Sequence, residues 1–248
     1  MKRPLLTLVA GLAPLFAHAG CEEHFQIWME KLHPGQSLDR EHAACKIWPA
    51  NEALTIAALP IKHASDNDDG GSIDVDVLVA DTSTGTIAAH HFQAAAVQYE
   101  SGHFFDGIEI DSARYQLTPT QRAIGVRLTS SGGYPADMSG VTTLSLYLFN
   151  DARMRTVLDR MKVGEWHASR GSACDSEETD TKRTITMGVA SANDYAPLKI
   201  EERTIDQTVS GNAEKCWVSK SPAQRRSVTL PYQHGTYGIP ADLQYSND

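Results

Sequence analysis

The sequence lacks the short motifs by which common enzyme families are recognised. It contains no G-x-S-x-G nucleophile elbow, no H-E-x-x-H zinc motif, no Walker glycine loop and no G-x-G-x-x-G dinucleotide fingerprint. The sequence therefore gives no indication of a familiar serine hydrolase, zinc protease, P-loop protein or Rossmann dehydrogenase. A hydrolase on this chain would need a carboxylate or histidine site of another kind.

Long apolar runs are also missing after the first twenty residues. The N-terminus carries Lys2 and Arg3, an apolar run at residues 5–16, and then Ala17-His18-Ala19. A basic start, a short apolar run and a small-x-small end predict a secretory signal peptide at residues 1–19, cleaved after Ala19. A spanning helix needs about 20 apolar residues, so we expect no membrane span in the mature chain and a periplasmic or secreted location.

Basic and aromatic residues are scarce. The chain has 22 Lys and Arg against 31 Asp and Glu, a net charge of -9, and 7% aromatic residues. Nucleic acid is not an expected partner, because binding to phosphate backbones needs a basic surface. The 41% hydrophobic and 21% charged content is that of a globular protein with an aliphatic core.

The cysteines form an even set of four: Cys21, Cys45, Cys174 and Cys216. In an oxidising compartment, the spacing favours the local disulfides Cys21 with Cys45 and Cys174 with Cys216. Two alternatives concern the first pair. Cys21 could be lipidated, as in a bacterial lipoprotein, or Cys21 and Cys45 could join His24 and His42 in a zinc site.

The segment between Cys21 and Cys45 predicts the one substantial helix, because Phe25, Trp28, Met29 and Leu32 have near-helical spacing before Pro34-Gly35. A second short turn is expected between Ser37 and Cys45. Residues 20–49 are thus predicted as a disulfide-pinned helical cap, and residues 50–248 as one all-β domain.

Short alternating runs joined by polar turns fill the rest of the chain. They begin with residues 73–80 and 86–92 and recur up to residues 227–232. About eleven or twelve strands are expected, mainly antiparallel, in a sandwich or in propeller-like sheets. Three stretches are interpreted as loops: residues 130–140, 171–180 and 210–223.

The sharpest local motif lies before the first alternating strand, at residues 66–74 (DNDDGGSID). Asp66, Asp68, Gly70 and Asp74 would supply positions 1, 3, 5 and 9 of a calcium loop. The motif resembles the calcium loops of FG-GAP repeats, although Gly70 stands where that family has an oxygen ligand. An acidic connecting loop explains the same residues, so calcium is a possible cofactor and none is expected.

Histidines give a second candidate. His103 and Asp106 are three residues apart in a predicted loop at residues 101–107 and could form half of an acid-base pair. His90 and His91 are neighbours in a predicted strand, so their side chains should point to opposite faces and cannot share a metal.

Six short segments, most of them in predicted strands, carry a resemblance to known proteins. They are residues 45–49 (CKIWP), 75–79 (VDVLV), 114–117 (RYQL), 122–127 (RAIGVR), 144–148 (LSLYL) and 228–232 (VTLPY). With them the chain resembles a group of exported proteins of Gram-negative bacteria of unknown function. The resemblance implies a location in the envelope and assigns no catalytic residue.

The leading hypothesis is an exported, periplasmic, β-rich binding protein. It would be an inhibitor or immunity-type protein, or an accessory ligand-binding protein, and its partner would be a protein or small ligand of the envelope. An acidic surface suits a basic partner. The alternatives are an envelope hydrolase with an unrecognised carboxylate or histidine site, and a calcium-stabilised structural module.

Overall fold

The computed structural model describes residues 20–63, 70–150, 152–171, 173–190, 195–212 and 215–246. The predicted leader lies outside these ranges. In the described part of the chain, no helix is long and apolar enough to cross a membrane.

The predicted helix is confirmed. A 3-10 turn at Cys21–His24 leads into helix α1, Phe25–Leu32, whose Phe25, Trp28 and Met29 side chains are at most 2% exposed. The Trp28 indole N–H donates a hydrogen bond of 2.7 Å to the Gly85 carbonyl oxygen. The Cys21–Cys45 disulfide joins the start of this segment to the neighbouring sheet, so the helix is anchored at both its apolar face and its N-terminus.

The first sheet contains five antiparallel strands: β1 (Ser37–Leu38), β2 (Ala44–Ile47), β3 (Leu54–Lys62), β4 (Gly70–Asp81) and β5 (Ile87–Glu100). Strands β1 and β2 pair with successive parts of β3, which pairs with β4, and β4 pairs with β5. The predicted second turn after Ser37 is wrong in part, because strands β1 and β2 flank a short turn there. Residues 37–47 thus complete the edge of the first sheet.

The second sheet contains eight antiparallel strands, ordered β12-β11-β10-β9-β8-β7-β6 with β13 also on β11. Their bounds are β6 (His103–Gln116), β7 (Arg122–Tyr134), β8 (Asp137–Asn150), β9 (Arg153–Arg170), β10 (Ser176–Met187), β11 (Leu198–Asn212), β12 (Lys215–Lys220) and β13 (Gln224–Leu230). A small hairpin follows, made of β14 (Tyr232–Gln233) and β15 (Thr236–Tyr237). The all-β prediction is confirmed.

The two sheets face each other across a first aliphatic core, which makes the architecture a sandwich. Val77 from the first sheet and Val126 and Tyr147 from the second belong to this core. Helix α1 packs on the outer face of the first sheet, against a cluster that includes Leu59 and Leu78.

A second core lies on the other face of the second sheet. On β8, Leu144, Leu146 and Leu148 join this second core, whereas Tyr147 belongs to the first. On β9, Met154 belongs to the first core and Leu158 to the second. Residues near the C-terminus cover the second core, including Leu230, Tyr237 and Leu243.

The three predicted loops are largely strands. Residues 130–140 continue β7 and β8, with a turn only at Pro135 and Ala136, and most of residues 210–223 belong to β11 and β12. In the third stretch, β10 already starts at Ser176. Gly and Ser predict loops because they contribute little packing, but here the neighbouring strands hold them in register. The Cys174–Cys216 disulfide joins the β9–β10 turn to β12.

Candidate functional site

A groove opens at one end of the sandwich, between the ends of β4 and β5 and the inner face of β6 to β9. We call it the end groove, and its volume is about 880 Å³. Its lining includes Tyr99, His103, Ser139, Glu165 and His167. Tyr99 is partly buried and also packs against the first core, so the groove continues directly from the sandwich interior.

Strand register sets the groove wall. His103 lies opposite Gly132, Gly132 opposite Ser139, and Ser139 opposite His167. Directly opposed residues of antiparallel strands project from the same face. Two imidazoles therefore flank a floor of one glycine and one serine, and three strand spacings of about 4.8 Å place them roughly 14 Å apart.

The glycine in this row is required by the His103 ring. A Cβ atom on Gly132 would overlap that ring and would lie 2.6 Å from the Gly102 carbonyl oxygen. On the opposite face of the same strands, Gly140 meets the Trp166 ring in the same way. The two glycines thus let aromatic rings lie flat across the neighbouring strand on both faces.

Ion pairs hold the groove wall in place. Glu165 accepts a bond of 2.8 Å from Lys162 Nζ and also pairs with Arg183, whose side chain is only 6% exposed and bonds Glu202 as well. At the rim, His167 Nε2 lies 2.6 Å from Asp137 Oδ1, and His103 Nδ1 lies 3.9 Å from Glu100. The groove offers hydroxyls, imidazoles and a phenol on a fixed frame, which suits the binding of a polar ligand.

His103 and Asp106 do not form the predicted pair. Both lie in β6 and not in a loop, and a register irregularity falls between Phe105 and Gly107. Asp106 accepts a hydrogen bond of 3.0 Å from Ser131 Oγ, and Ser131 projects from the face opposite to that of Gly132 and His103. His103 and Ser131 both belong to the groove lining, whereas Asp106 does not and reaches the lining only through its bond with Ser131.

Two of the four proposed calcium ligands, Asp66 and Asp68, lie outside the described residues. Gly70 and Asp74 belong to β4. Asp74 is 6% exposed, accepts a hydrogen bond of 2.7 Å from the Ala95 N–H and lies 3.0 Å from His63 Nε2. No group of three or more metal-binding side chains was found among the described residues. Calcium at Asp66 to Asp74 stays a prediction.

Sequence reasoning missed a second polar cluster, which lies under helix α1. Asp76 is fully buried, and its carboxylate lies 2.6 Å from His33 Nε2 and 3.0 Å from His90 Nδ1. The signal available in the sequence was Asp76 itself, a charged residue that shares one strand face with Leu78 and Ala80. Its partners lie 43 and 14 residues away and could not be assigned from the sequence.

The neighbouring histidines point to opposite faces, as predicted. His90 contacts Asp76 on the helix side of the first sheet, whereas His91 Nε2 lies 3.0 Å from Thr156 Oγ1 between the sheets. Burial lowers the pKa of His91 despite the nearby Asp76 and Asp159, so the neutral ring is favoured. The two rings thus have different surroundings on the two faces of the first sheet.

Comparison with known proteins gives no relative: no family model, no curated protein and no solved structure matches this chain. The resemblance to exported proteins stays a prediction.

Proposed function

We propose that this protein is an exported binding protein of the bacterial cell envelope, and that its ligand occupies the end groove. The row His103, Gly132, Ser139 and His167 carries the proposal, because it presents polar groups on a wall that ion pairs hold in place. A volume of about 880 Å³ lies within the usual range for small-molecule sites.

Two features support the exported location. The first nineteen residues have the pattern of a signal peptide, and the two disulfides suit an oxidising compartment. In a Gram-negative cell these features favour the periplasm.

An accessory ligand-binding role fits the groove better than an inhibitor or immunity-type role. The spacing of roughly 14 Å between the two imidazoles suits contacts at two ends of one small ligand. The inhibitor role rests mainly on the net charge of -9, which would suit a basic enzyme as partner.

Nuclear magnetic resonance can test the groove directly. Val141 lines it, so its methyl signals should shift when the low-molecular-weight fraction of a periplasmic extract is added. Ser139→Tyr fills the floor and should abolish the shift, whereas Ser219→Tyr, on an exposed strand outside the groove lining, should not. Unchanged Val141 signals at saturating extract, or equal shifts in Ser139→Tyr, would reject the groove as the binding site.

One observation favours the hydrolase alternative. Ser139 lies directly opposite His167, and His167 bonds Asp137, so a serine, a histidine and an aspartate share one edge of the groove. This is the set of groups used in nucleophilic catalysis by serine. The side chains of Asp137 and His167 are 68% and 56% exposed. A catalytic pair of this kind usually works when it is shielded from water, so a binding function is preferred over a hydrolase.

A fluorophosphonate probe separates the two functions. A hydrolase of this kind should be labelled at Ser139, and Ser139→Ala should lose the label. A binding protein should remain unlabelled while its Val141 signals still respond to the extract.

A further inference from the structure

A second cavity lies along the seam between the two sheets, where the free edge of β5 faces the start of β9. We call it the seam pocket, and its volume is about 690 Å³. It shares no lining residue with the end groove. The two sites can therefore be tested independently.

The seam pocket is lined by three cationic side chains and one histidine. Lys31 comes from the end of α1, His90 from β5, and Arg153 and Arg155 from β9, and no carboxylate belongs to the lining. Neither Lys31 nor Arg153 is paired with a carboxylate within the described part of the chain. The protein as a whole carries a net charge of -9, so this lining is a basic area on an acidic molecule.

Asp76 orients the His90 ring toward the pocket. Its buried carboxylate can only accept hydrogen bonds, so His90 Nδ1 donates to it at 3.0 Å. The proton on Nδ1 leaves Nε2 on the far side of a ring that is 43% exposed and lines the pocket. A histidine fixed at one nitrogen by a carboxylate presents the other nitrogen to a ligand.

His33 and Arg155 make the arrangement rigid. His33 Nε2 donates the second hydrogen bond to Asp76, at 2.6 Å, so the carboxylate is held from two sides. Arg155 donates bonds of 2.7 Å to the Gly235 carbonyl and to the Tyr232 hydroxyl, and its charge is thus fixed beside the pocket. Lys31 and Arg153 have no carboxylate partner among the residues that the structure describes, and both can bind a ligand.

We infer that the seam pocket binds an oxyanion of the phosphate class. A tetrahedral phosphate offers several acceptor oxygens, and the lining supplies donors from α1, β5 and β9. His90 Nε2 donates to the anion when protonated. The phosphate belongs either to a soluble phosphate ester or to a phospholipid headgroup of the envelope.

Titration of the full mature chain with inorganic phosphate tests the site, with chloride at equal ionic strength as reference. The His90 Cε1–H signal should shift and saturate. Lys31→Glu with Arg153→Glu should weaken binding at least tenfold, because each lost charge-assisted hydrogen bond is worth roughly a factor of ten. His90→Asn keeps a donor for Asp76 but removes Nε2, and it should also weaken binding about tenfold.

The matched control is Arg170→Glu with Lys220→Glu. It changes the net charge equally at two exposed positions outside the seam pocket. This control should bind phosphate within about twofold of the unmodified protein, since screened charges outside the pocket contribute little.

Sedimentation with phosphatidylglycerol vesicles, compared with phosphatidylcholine vesicles, identifies the source of the phosphate. Vesicle binding that the Lys31/Arg153 variant loses assigns a lipid headgroup, and a response to free phosphate alone assigns a soluble ester. Either result supports the site. The proposed phosphate site is overturned if the protein responds neither to inorganic phosphate nor to phosphatidylglycerol vesicles, or if the Arg170/Lys220 control loses binding equally. Neither result bears on ligand binding in the end groove.

Discussion

Asp111 and Arg127 form an ion pair between neighbouring strands of the second sheet. Arg127 Nε and Nη2 lie 2.8 Å and 2.7 Å from Asp111 Oδ2, and both side chains are mostly buried. Tyr115 donates a further bond of 2.7 Å to the same oxygen, and the Ala113 N–H donates to the other oxygen at 2.9 Å. All four of these hydrogen bonds favour the ionised form of the carboxylate.

This pair predicts a loss of stability in acid. Burial alone would raise the pKa of Asp111, but its hydrogen bonds from Tyr115, Ala113 and Arg127 outweigh burial, and the pKa is lowered from 3.8. A lowered folded-state pKa stabilises the protein above the unfolded-state pKa, and this contribution disappears as the pH falls through the folded-state value. Asp111→Asn should cost about 2 kcal/mol at pH 7.

Urea unfolding between pH 2 and pH 7 checks this prediction. The difference between Asp111→Asn and the unmodified protein should be constant above about pH 5 and shrink below about pH 4. Asp106→Asn, an exposed carboxylate on the same strand, is the matched control and should show a much smaller difference. A difference for Asp111→Asn that does not depend on pH would contradict the role given to its charge.

Asp76→Ala should destabilise the protein by roughly 2 to 4 kcal/mol, because it leaves two imidazole N–H groups without their acceptor beneath α1. Chemical denaturation at pH 7 measures this. Asp180→Ala, at a partly exposed aspartate on β10 that pairs with the exposed Lys182, provides the comparison and should cost less than 1 kcal/mol. Equal losses for both variants would show that the Asp76 cluster does not stabilise the fold.

The two disulfides should stabilise different regions. In the chain-entropy model, loss of either bond costs about 3 to 4 kcal/mol. Replacing Cys21 and Cys45 by Ala should speed hydrogen exchange of the α1 amides and leave β10 and β11 protected. Replacing Cys174 and Cys216 should produce the reverse pattern, with faster exchange near β12 and an unaffected helix.

Gly132→Ala should disturb the end groove, because the added methyl group meets the His103 ring and the Gly102 carbonyl. We expect a loss of about 1 to 3 kcal/mol and a shifted His103 imidazole signal. Gly164→Ala is the matched control in the same sheet, since its Cβ would lie in ordinary contact, 3.4 Å from Thr142 Cβ. If Gly132→Ala leaves the His103 signal in place, the close packing of this ring is not required.

Local patterns predicted the parts of the fold that depend on neighbouring residues. The spacing of Phe25, Trp28 and Met29 was enough for α1, and cysteine spacing was enough for both disulfides, because each needs only a short stretch of chain. Residues 130–140 were misjudged for the opposite reason. Gly132 and Gly140 weaken a strand when each is considered alone. Their presence in these strands is explained only by the rings of His103 and Trp166, which leave no room for a Cβ atom.

The candidate sites were predicted less well, because their groups come from distant parts of the chain. His103 was selected, but with Asp106 as its partner, whereas strand register places it in a row with Ser139 and His167. The Asp76 cluster joins α1 to β4 and β5, and no local spacing indicates it. A sequence shows which polar residues are unusual, and tertiary pairing decides which of them meet.

Strands β8 and β9 supply side chains to both hydrophobic cores, with Tyr147 and Met154 in the first and Leu146 and Leu158 in the second. Unfolding of one core therefore disrupts strands that also form the other core, so the two cores should unfold together. Thermal unfolding of the β-domain should therefore give a single calorimetric peak, as in the two-state unfolding of smaller proteins.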